Sequence, residues 1–170
     1  MEIHPVSGFW SNLCFWCPFF SWITAQLIKM AINFAKTRNI DFHYLVSTGG
    51  MPSAHSATVS GLATAIGITQ GFDSPLFAIC LVYAIITMFD ASTVRRAAGQ
   101  QAKILNIMIH DVFKEHKIYN AKLRELLGHT RTEVWMGMLL GIVFSASVCL
   151  IAARVAASRV LAESGAASVL

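Results

Sequence analysis

The feature that most limits the fold is a run of apolar residues in the C-terminal part of the chain. Between Thr132 and Ala153 the one charged residue is Glu133, at the start of the run. A helix needs roughly 20 predominantly apolar residues to cross the hydrocarbon core of a bilayer. Inside that core every backbone polar group must be satisfied within the segment, which a helix achieves. The run therefore predicts a membrane-spanning helix.

Three further apolar spans precede this run: Phe19–Ala35, Ala54–Ile68 and Leu76–Phe89. Hydrophobic residues make up 55% of the sequence and charged residues 13%, and that charged fraction is about half that of a soluble domain. We therefore expect an all-α fold, an integral membrane bundle of about four transmembrane helices in one domain over residues 1–170. No basic run with interleaved aromatics is present, so no nucleic-acid partner is expected.

The segments outside the four spans have their own character. Residues 1–17 are rich in tryptophan and phenylalanine, which is typical of an interfacial aromatic belt. Pro18 predicts the start of the first helix, and residues 18–153 form the predicted helical core. No role is predicted for the tail, residues 154–170.

After the third span the chain is expected to continue as a helix that leaves the membrane. Its apolar residues keep the spacing of an amphipathic helix that lies on the membrane surface. They are Ile104, Leu105, Ile107, Met108, Val112 and Phe113. The bundle is thus expected to carry one amphipathic surface helix.

The fourth span carries small residues at every fourth position, namely Gly137, Gly141 and Ser145. Such a stripe lets two membrane helices approach closely. We take pairing of two copies of the chain through this stripe as a hypothesis for a homo-oligomer.

Basic residues are concentrated in the connectors between spans one and two and between spans three and four. The turn between spans two and three, residues 70–75, contains none. Because cytoplasmic loops carry an excess of Lys and Arg, we expect both basic connectors on the cytoplasmic side. Arg154 and Arg159 in the tail argue weakly for the opposite orientation.

A polar loop, Ser47–Ser56, separates the first two spans. Gly49 and Gly50 allow a tight turn, and Pro52 fits the first position of a helix. The N-terminus of that helix would offer unpaired N–H groups to an anion such as phosphate, and His55 titrates near neutral pH. The loop also supplies hydroxyl donors, which are Ser47, Thr48 and Ser53. The alternative is a serine N-cap followed by a partly buried histidine.

Four crossings would bring several charged groups to the membrane face where this loop lies. His55 opens the second span and His129 precedes the fourth. The cations at the same face are Lys29, Arg95 and Arg96. Arginine binds phosphate through a bidentate fork and lysine as a point charge. The pattern therefore predicts a site for a dianion at one end of the bundle.

Lys29 belongs to a polar stripe on the first span, whose members are Gln26, Lys29, Asn33 and Lys36. Steps of three and four residues place them on one helix face. A charged residue inside a span usually faces the bundle interior and marks a site. The alternative is that Lys29 extends along the helix and reaches the nearby interface.

His129 and Glu133 are four residues apart, so a continuing helix brings them to one side. A carboxylate on one imidazole nitrogen would fix the tautomer and leave the other nitrogen free to attack an electrophile. Thr130 followed three residues later by Glu133 is also a capping-box pattern. Both interpretations of Glu133 stay open at this point.

Together these segments resemble the type 2 phosphatidic acid phosphatase and vanadium haloperoxidase superfamily, and most closely its divergent branch of short membrane proteins related to acid phosphatases and vanadium-dependent haloperoxidases. The resemblance covers about residues 22–150. Its most specific parts are Ser47–Thr58, Asp90–Asn106 and Leu126–Gly141.

The resemblance implies roles for individual residues. The Pro-Ser-Gly-His motif corresponds to Pro52–His55, where Ser53 would contact phosphate and His55 would protonate the leaving group. His129 corresponds to the nucleophilic histidine and Glu133 to the residue that orients it. Lys29 matches the lysine of the first motif.

The sequence departs from the superfamily pattern at several positions. Lys36 stands at the spacing of the first motif's arginine, whose Arg-Pro pair is absent. Arg124 is one residue closer to the histidine than the pattern has it, and Glu133 replaces an aspartate. Arg95 and Arg96 have no counterpart in the three motifs and are expected to supply further cations.

The function that these residues imply is hydrolysis of a lipid or isoprenoid phosphate monoester or pyrophosphate through a phosphohistidine intermediate. The expected phosphate contacts include Arg124, Gly49 and Gly50, and no metal or cofactor is expected because side-chain cations neutralise the phosphate. Expected partners are membrane lipids and the phosphorylated substrate. The alternative is a non-catalytic membrane protein of the same fold that binds phosphate headgroups.

Overall fold

The computed structural model describes residues 7–39, 50–112 and 128–167, and in these ranges the chain is helical with no strand. The helices are α1 Ser7–Trp10, α2 Leu13–Thr37, α3 Ala54–Gln70, α4 Pro75–Ser92, α5 Val94–Val112 and α6 Arg131–Ala167. The all-α prediction is confirmed for the described residues.

The first long helix begins earlier than predicted. α2 begins at Leu13 with Asn12 as its N-cap, whose side chain accepts a hydrogen bond from the Cys14 N–H at 3.0 Å. The prediction that the helix begins at Pro18 is therefore wrong. A hydrogen bond to α1 holds the extra turn in place, since the indole N–H of Trp16 donates to the carbonyl of Phe9 at 3.2 Å.

Two other boundaries differ from the prediction. The helix expected to continue out of the third span is interrupted at Thr93, which follows the last residue of α4 and precedes α5. The tail, for which no role was predicted, continues α6 as far as Ala167. Its alanine, leucine and arginine residues have high helix propensity, so the helix does not need to end where the apolar run ends.

α3 lies at the centre of the bundle and packs against α2, α4 and α6. Its C-terminal end meets the N-terminal end of α2, where the Cys14 thiol is 3.2 Å from the hydroxyl of Thr69. α2 and α3 are therefore antiparallel. α6 runs parallel to α3, because residues that come later in α3 contact residues that come later in α6. Ser53 at the start of α3 contacts Glu133, and the Ser60 hydroxyl farther along donates to the Met138 carbonyl at 3.1 Å.

The small-residue stripe of α6 packs inside the chain. A Cβ on Gly137 would collide with the carbonyl oxygen of Ser53, and a Cβ on Gly141 would collide with that of Ala57. Ser145 continues the contact, since its hydroxyl is 3.5 Å from that of Ser21 in α2. The stripe is thus covered by α3 and α2 of the same chain, and a homo-oligomer stays a prediction.

Two described stretches, Pro75–Ile109 and Arg131–Ala162, are long and apolar enough to cross a membrane. α4 turns most of its large hydrophobic side chains outward, including Ile79, Val82 and Ile86. An outward apolar surface is the expected surface of a helix in lipid. The structure thus supports a helical membrane protein, while the number of four crossings stays a prediction.

Candidate functional site

The N-terminal ends of α3 and α6 meet and bring the two sequence-predicted histidines together. The backbone N–H of Ser53 donates to the carbonyl of Glu133 at 3.0 Å. The ring centroids of His55 and His129 are 6.5 Å apart. Because α3 and α6 are parallel, both helix N-termini, with their unpaired N–H groups and positive dipole ends, point to the same side of the bundle.

His129 is buried and held at both its backbone and its ring. The residue is 3% exposed. Its backbone N–H donates to the carbonyl of Ala91, at the end of α4, at 3.2 Å. Nδ1 is 3.0 Å from Oε2 of Glu133. Nε2 is buried and has no hydrogen-bond partner among the described residues. The carboxylate favours the tautomer with the proton on Nδ1, which leaves a lone pair on Nε2.

Glu133 performs both of the functions that the sequence left open. Its Oε2 also accepts the backbone N–H of Thr130 at 3.2 Å, and its own N–H donates to the Thr130 hydroxyl at 3.3 Å. This reciprocal pair is a capping box at the start of α6. The same carboxylate oxygen thus caps the helix and holds the imidazole of His129.

Ser53 is the N-cap of α3 and is fully buried. Its hydroxyl oxygen accepts from the Ser56 N–H at 3.4 Å and from the Ser56 hydroxyl at 3.0 Å. Its own proton can then be donated to a further acceptor. Pro52 precedes the cap, so the prediction that it occupies the first helical position is wrong; α3 begins at Ala54.

Lys29 lies inside the bundle and does not reach the interface. It is 3% exposed, and Nζ has no hydrogen-bond partner among the described residues. The ammonium is within electrostatic range of Glu133 and of His55. The expectation that Lys29 faces the interior is confirmed. Its stripe neighbour Gln26 is also buried, and Lys36 two turns later is exposed.

Arg95 lies at the exposed side of the site. Its side chain is 51% exposed, and Nε donates to Oδ2 of Asp90 at 2.8 Å. It is within electrostatic range of His55. Arg96 is exposed, and its backbone packs against Gly128, just before His129. The two arginines therefore lie beside the histidine pair, as the sequence predicted.

Two of the predicted phosphate contacts, Gly49 and Arg124, lie outside the described residues. Gly50 is described; it has φ +87° and is exposed. A positive φ is the conformation that glycine adopts without strain. Within the described ranges no group of three or more His, Cys, Asp or Glu side chains could hold a metal ion.

Sequence reasoning missed several residues that shape the site. Asp90, which accepts a hydrogen bond from Arg95, directly follows the third predicted span, and the carbonyl of Ala91 gives no sequence signal. Gly128 permits close approach to the Arg95–Arg96 backbone, where a Cβ would collide. Two sequence signals could have indicated these residues. Asp90 is a lone carboxylate at a helix end, and Gly128 comes immediately before a predicted catalytic residue.

This chain shares sequence with a known family and with a known membrane protein. The sequence matches the family described as "Divergent PAP2 family" over residues 10–144. It is 43% identical over 134 residues to the uncharacterized membrane protein YuiD of Bacillus subtilis (strain 168), a match that covers 72% of this chain and 85% of that protein. No solved structure matches.

Proposed function

The chain belongs to the divergent PAP2 family, and on that premise we propose that it is a membrane-bound phosphatase. It hydrolyses a lipid or isoprenoid phosphate monoester or pyrophosphate through a phosphohistidine intermediate. The observation that carries this proposal is the state of His129, whose Nδ1 is held by Glu133 while the buried Nε2 lacks a partner among the described residues. A nucleophilic histidine needs this arrangement.

In the first step, Nε2 of His129 attacks phosphorus. The P–N bond forms, the bond from phosphorus to the leaving oxygen breaks, and His55 gives that oxygen a proton. The two ring centroids are 6.5 Å apart, so both imidazoles can act on one phosphoryl group. Placing the attacking and departing atoms in line is a large part of what a protein contributes to phosphoryl transfer.

In the second step, water attacks the phosphohistidine. A P–O bond forms, the P–N bond breaks, and the neutral His55 takes the proton from water. His55 thus returns to the protonated form that began the cycle, and inorganic phosphate is released. General acid–base catalysis by one positioned histidine contributes typically about 10²–10⁴-fold.

Cations neutralise the charge on the equatorial phosphate oxygens in both steps. Lys29 does this from the buried side, where the low dielectric strengthens its field. Ser53 donates a hydrogen bond from its hydroxyl group, and Arg95 and Arg96 act from the exposed side. Arg124, which is outside the described residues, is expected to add a further cation. Preorganised charges of this kind supply the largest part of many rate enhancements.

The site lies at one end of an apolar bundle, which favours a substrate that enters sideways from the bilayer. The basic connectors at the same end favour a location on the cytoplasmic side. A phosphorylated lipid or prenyl alcohol meets both conditions, because its tail stays in the membrane while its phosphate reaches the cations.

The test compares leaving groups. Purified protein in lipid nanodiscs is given a long-chain alkyl phosphate and p-nitrophenyl phosphate, and phosphate release is measured for the parent, His55→Ala and His129→Ala. The alkyl alkoxide needs protonation to depart and nitrophenolate does not. We therefore expect His55→Ala to lose much more activity with the alkyl ester, and to show a burst of nitrophenol before slow turnover.

His129→Ala should lose activity equally with both esters and should fail to take up radiolabelled phosphate in acid-sensitive form. Equal activity of His129→Ala and the parent would overturn the proposal. So would labelling of the parent at another residue.

A second candidate is a non-catalytic protein of the same fold that binds phosphate headgroups. The observation that favours it is the exposure of Lys36, which stands in place of the first motif's arginine. That candidate predicts saturable binding of phosphate lipids with no phosphate release and no label on His129.

A further inference from the structure

One buried polar group at the site is not used by the proposed reaction. Among the described residues, three buried side-chain atoms lack a hydrogen-bond partner: Gln26 Oε1, Lys29 Nζ and His129 Nε2. Bound phosphate would accept a hydrogen bond from Lys29 Nζ, and its phosphorus is the atom that His129 Nε2 attacks in the proposed reaction. A buried acceptor without a partner costs free energy, so the position of Gln26 needs its own explanation.

Gln26 lies beside Lys29 on the inner face of α2. It is 4% exposed and three residues before Lys29, so the two side chains share a helix face. The preceding residue, Ala25, packs against Ala54 and Ala57 in the first turn of α3. Because α2 is antiparallel to α3, Gln26 lies deeper in the bundle than Lys29, by about 4.5 Å along the helix axis.

The chemistry of the unpartnered atom restricts what it can bind. The amide oxygen of Gln26 accepts hydrogen bonds and cannot donate them. Ionised phosphate oxygens also accept only, so they cannot be the partner of Oε1. The missing partner must carry an O–H or N–H group and must lie on the membrane side of the phosphate.

We infer that Gln26 accepts a hydrogen bond from a hydroxyl group of the substrate, located in the alcohol part that adjoins the phosphate. This inference rests on the proposed function, because it takes the phosphate to lie against Lys29 and His129. The depth of Gln26 matches that order: the phosphate meets Lys29, the hydroxyl meets Gln26, and the tail extends into the bilayer.

The inference narrows the substrate class. A lipid phosphate with a free hydroxyl beside the phosphorylated carbon satisfies Gln26, whereas a prenyl phosphate leaves the amide oxygen unpaired. Sites built to bind a hydroxyl discriminate strongly against the analogue that lacks it, because their own polar group is then left without a partner. Gln26 is in this view a specificity-determining residue.

The test measures binding of two non-hydrolysable phosphonates with the same acyl chain, one with the hydroxyl and one with hydrogen in its place. Parent protein, Gln26→Met and Gln70→Met are compared in nanodiscs by calorimetry. Gln70 is exposed at the opposite end of α3, so it is a matched control. We expect the parent and Gln70→Met to prefer the hydroxyl ligand by about tenfold, as one net hydrogen bond allows, and Gln26→Met to bind both alike.

The preference is a ratio within one preparation, so a partly unfolded variant does not disturb it. The inference is overturned if the parent shows no preference or binds neither ligand, if Gln26→Met keeps the preference, or if it weakens both ligands equally. The last result would mean that Gln26 holds a water molecule or only packs.

Binding of phosphonates needs no turnover, so the two proposals can fail separately. A hydroxyl preference without phosphate release would leave the role of Gln26 intact and reject the phosphatase. Equal phosphate release from the hydroxyl and deoxy esters would leave the phosphatase intact and reject the role of Gln26.

Discussion

Lys29 and Arg95 both bring a positive charge to the end of the bundle where the two histidines lie, but their surroundings are opposite. Lys29 is 3% exposed with no hydrogen-bond partner among the described residues. Arg95 is 51% exposed and paired with Asp90. At a given distance, a charge acts several times more strongly in a protein interior than at a solvated surface.

The difference teaches that the site has a buried half and an exposed half. The buried half consists of Lys29, Ser53 and His129, with the half-buried Glu133 held against His129, and in the proposed function it fixes the geometry of the phosphoryl group. The exposed half consists of Asp90, Arg95 and Arg96, and it acts mainly by attracting anions. Salt screens the exposed half and leaves the buried half largely unaffected.

The largest effect is expected in the buried half, at Glu133. Glu133→Ala removes both the capping box and the contact with His129 Nδ1, and we expect phosphate release to fall about 10⁴-fold, as when a residue that orients a catalytic histidine is lost. The free energy of unfolding should fall by about 1 kcal/mol with the lost cap. Steady-state kinetics and chemical unfolding measure the two effects.

Glu133→Gln is the matched control for this change. One amide oxygen can accept from both Thr130 and His129, as Oε2 does, so the helix cap and the tautomer are kept and only the charge is lost. We expect a loss of about tenfold, within the range for residues that support a reacting group. If the glutamine variant were as inactive as the alanine variant, the negative charge of Glu133 and not only its position would be needed to hold the tautomer of His129.

The next effect is expected at Lys29. Lys29→Met keeps the length of the side chain and removes the charge, and we expect phosphate release to fall about 10²-fold, the order seen when one stabilising donor is removed. The thermal unfolding temperature should rise, because a buried ammonium without a partner is costly. Both are measured on the same detergent-solubilised sample.

Lys36→Met, at an exposed position of the same helix, should change neither quantity. A Lys29→Met protein that is fully active would contradict the division into two halves. A Lys29→Met protein that unfolds at lower temperature than the parent would show that Lys29 has a structural partner.

The smallest effect is expected in the exposed half. Arg95→Ala should lower the rate at low salt by about fivefold or less, because an exposed charge acts mainly through long-range attraction, and the unfolding free energy should change by less than about 1 kcal/mol. The deficit should disappear as salt is raised, which a salt titration of kcat/KM measures.

Lys103→Ala, exposed on the same helix, is the control for the general loss of one positive charge. A deficit in Arg95→Ala that persists at high salt would place Arg95 in direct contact with the phosphate. Arg95 and Lys29 would then no longer differ in how they act on the phosphate.

The local features of this chain follow from the sequence. Each apolar span lies within one helix, the Thr130–Glu133 capping box has its expected hydrogen bonds, and Ser53 caps α3, because all of these depend on neighbours within one helical turn. The helix start at Pro18 could not be predicted from local rules, since packing of Phe9 against Trp16 stabilises an extra turn before the proline.

The destination of the glycine stripe was equally undetermined. Gly137 and Gly141 indicate that some helix approaches closely, but the pattern is the same for a helix of the same chain and for one of a second copy. The structure decides for α3 because its first turns are built from alanine and serine, which leave room for the α6 backbone.

By itself the sequence determined the fold class, the position of each polar group along its helix and the pair formed by His129 and Glu133. The tertiary structure alone decided that Lys29 and Gln26 keep unpartnered buried atoms, and that Lys29 comes within electrostatic range of Glu133, about a hundred positions later in the chain. The physical reason is that helix periodicity assigns a face to each residue. Burial depends on which neighbouring helix covers that face, and this is set by the packing of α2, α3 and α6 together.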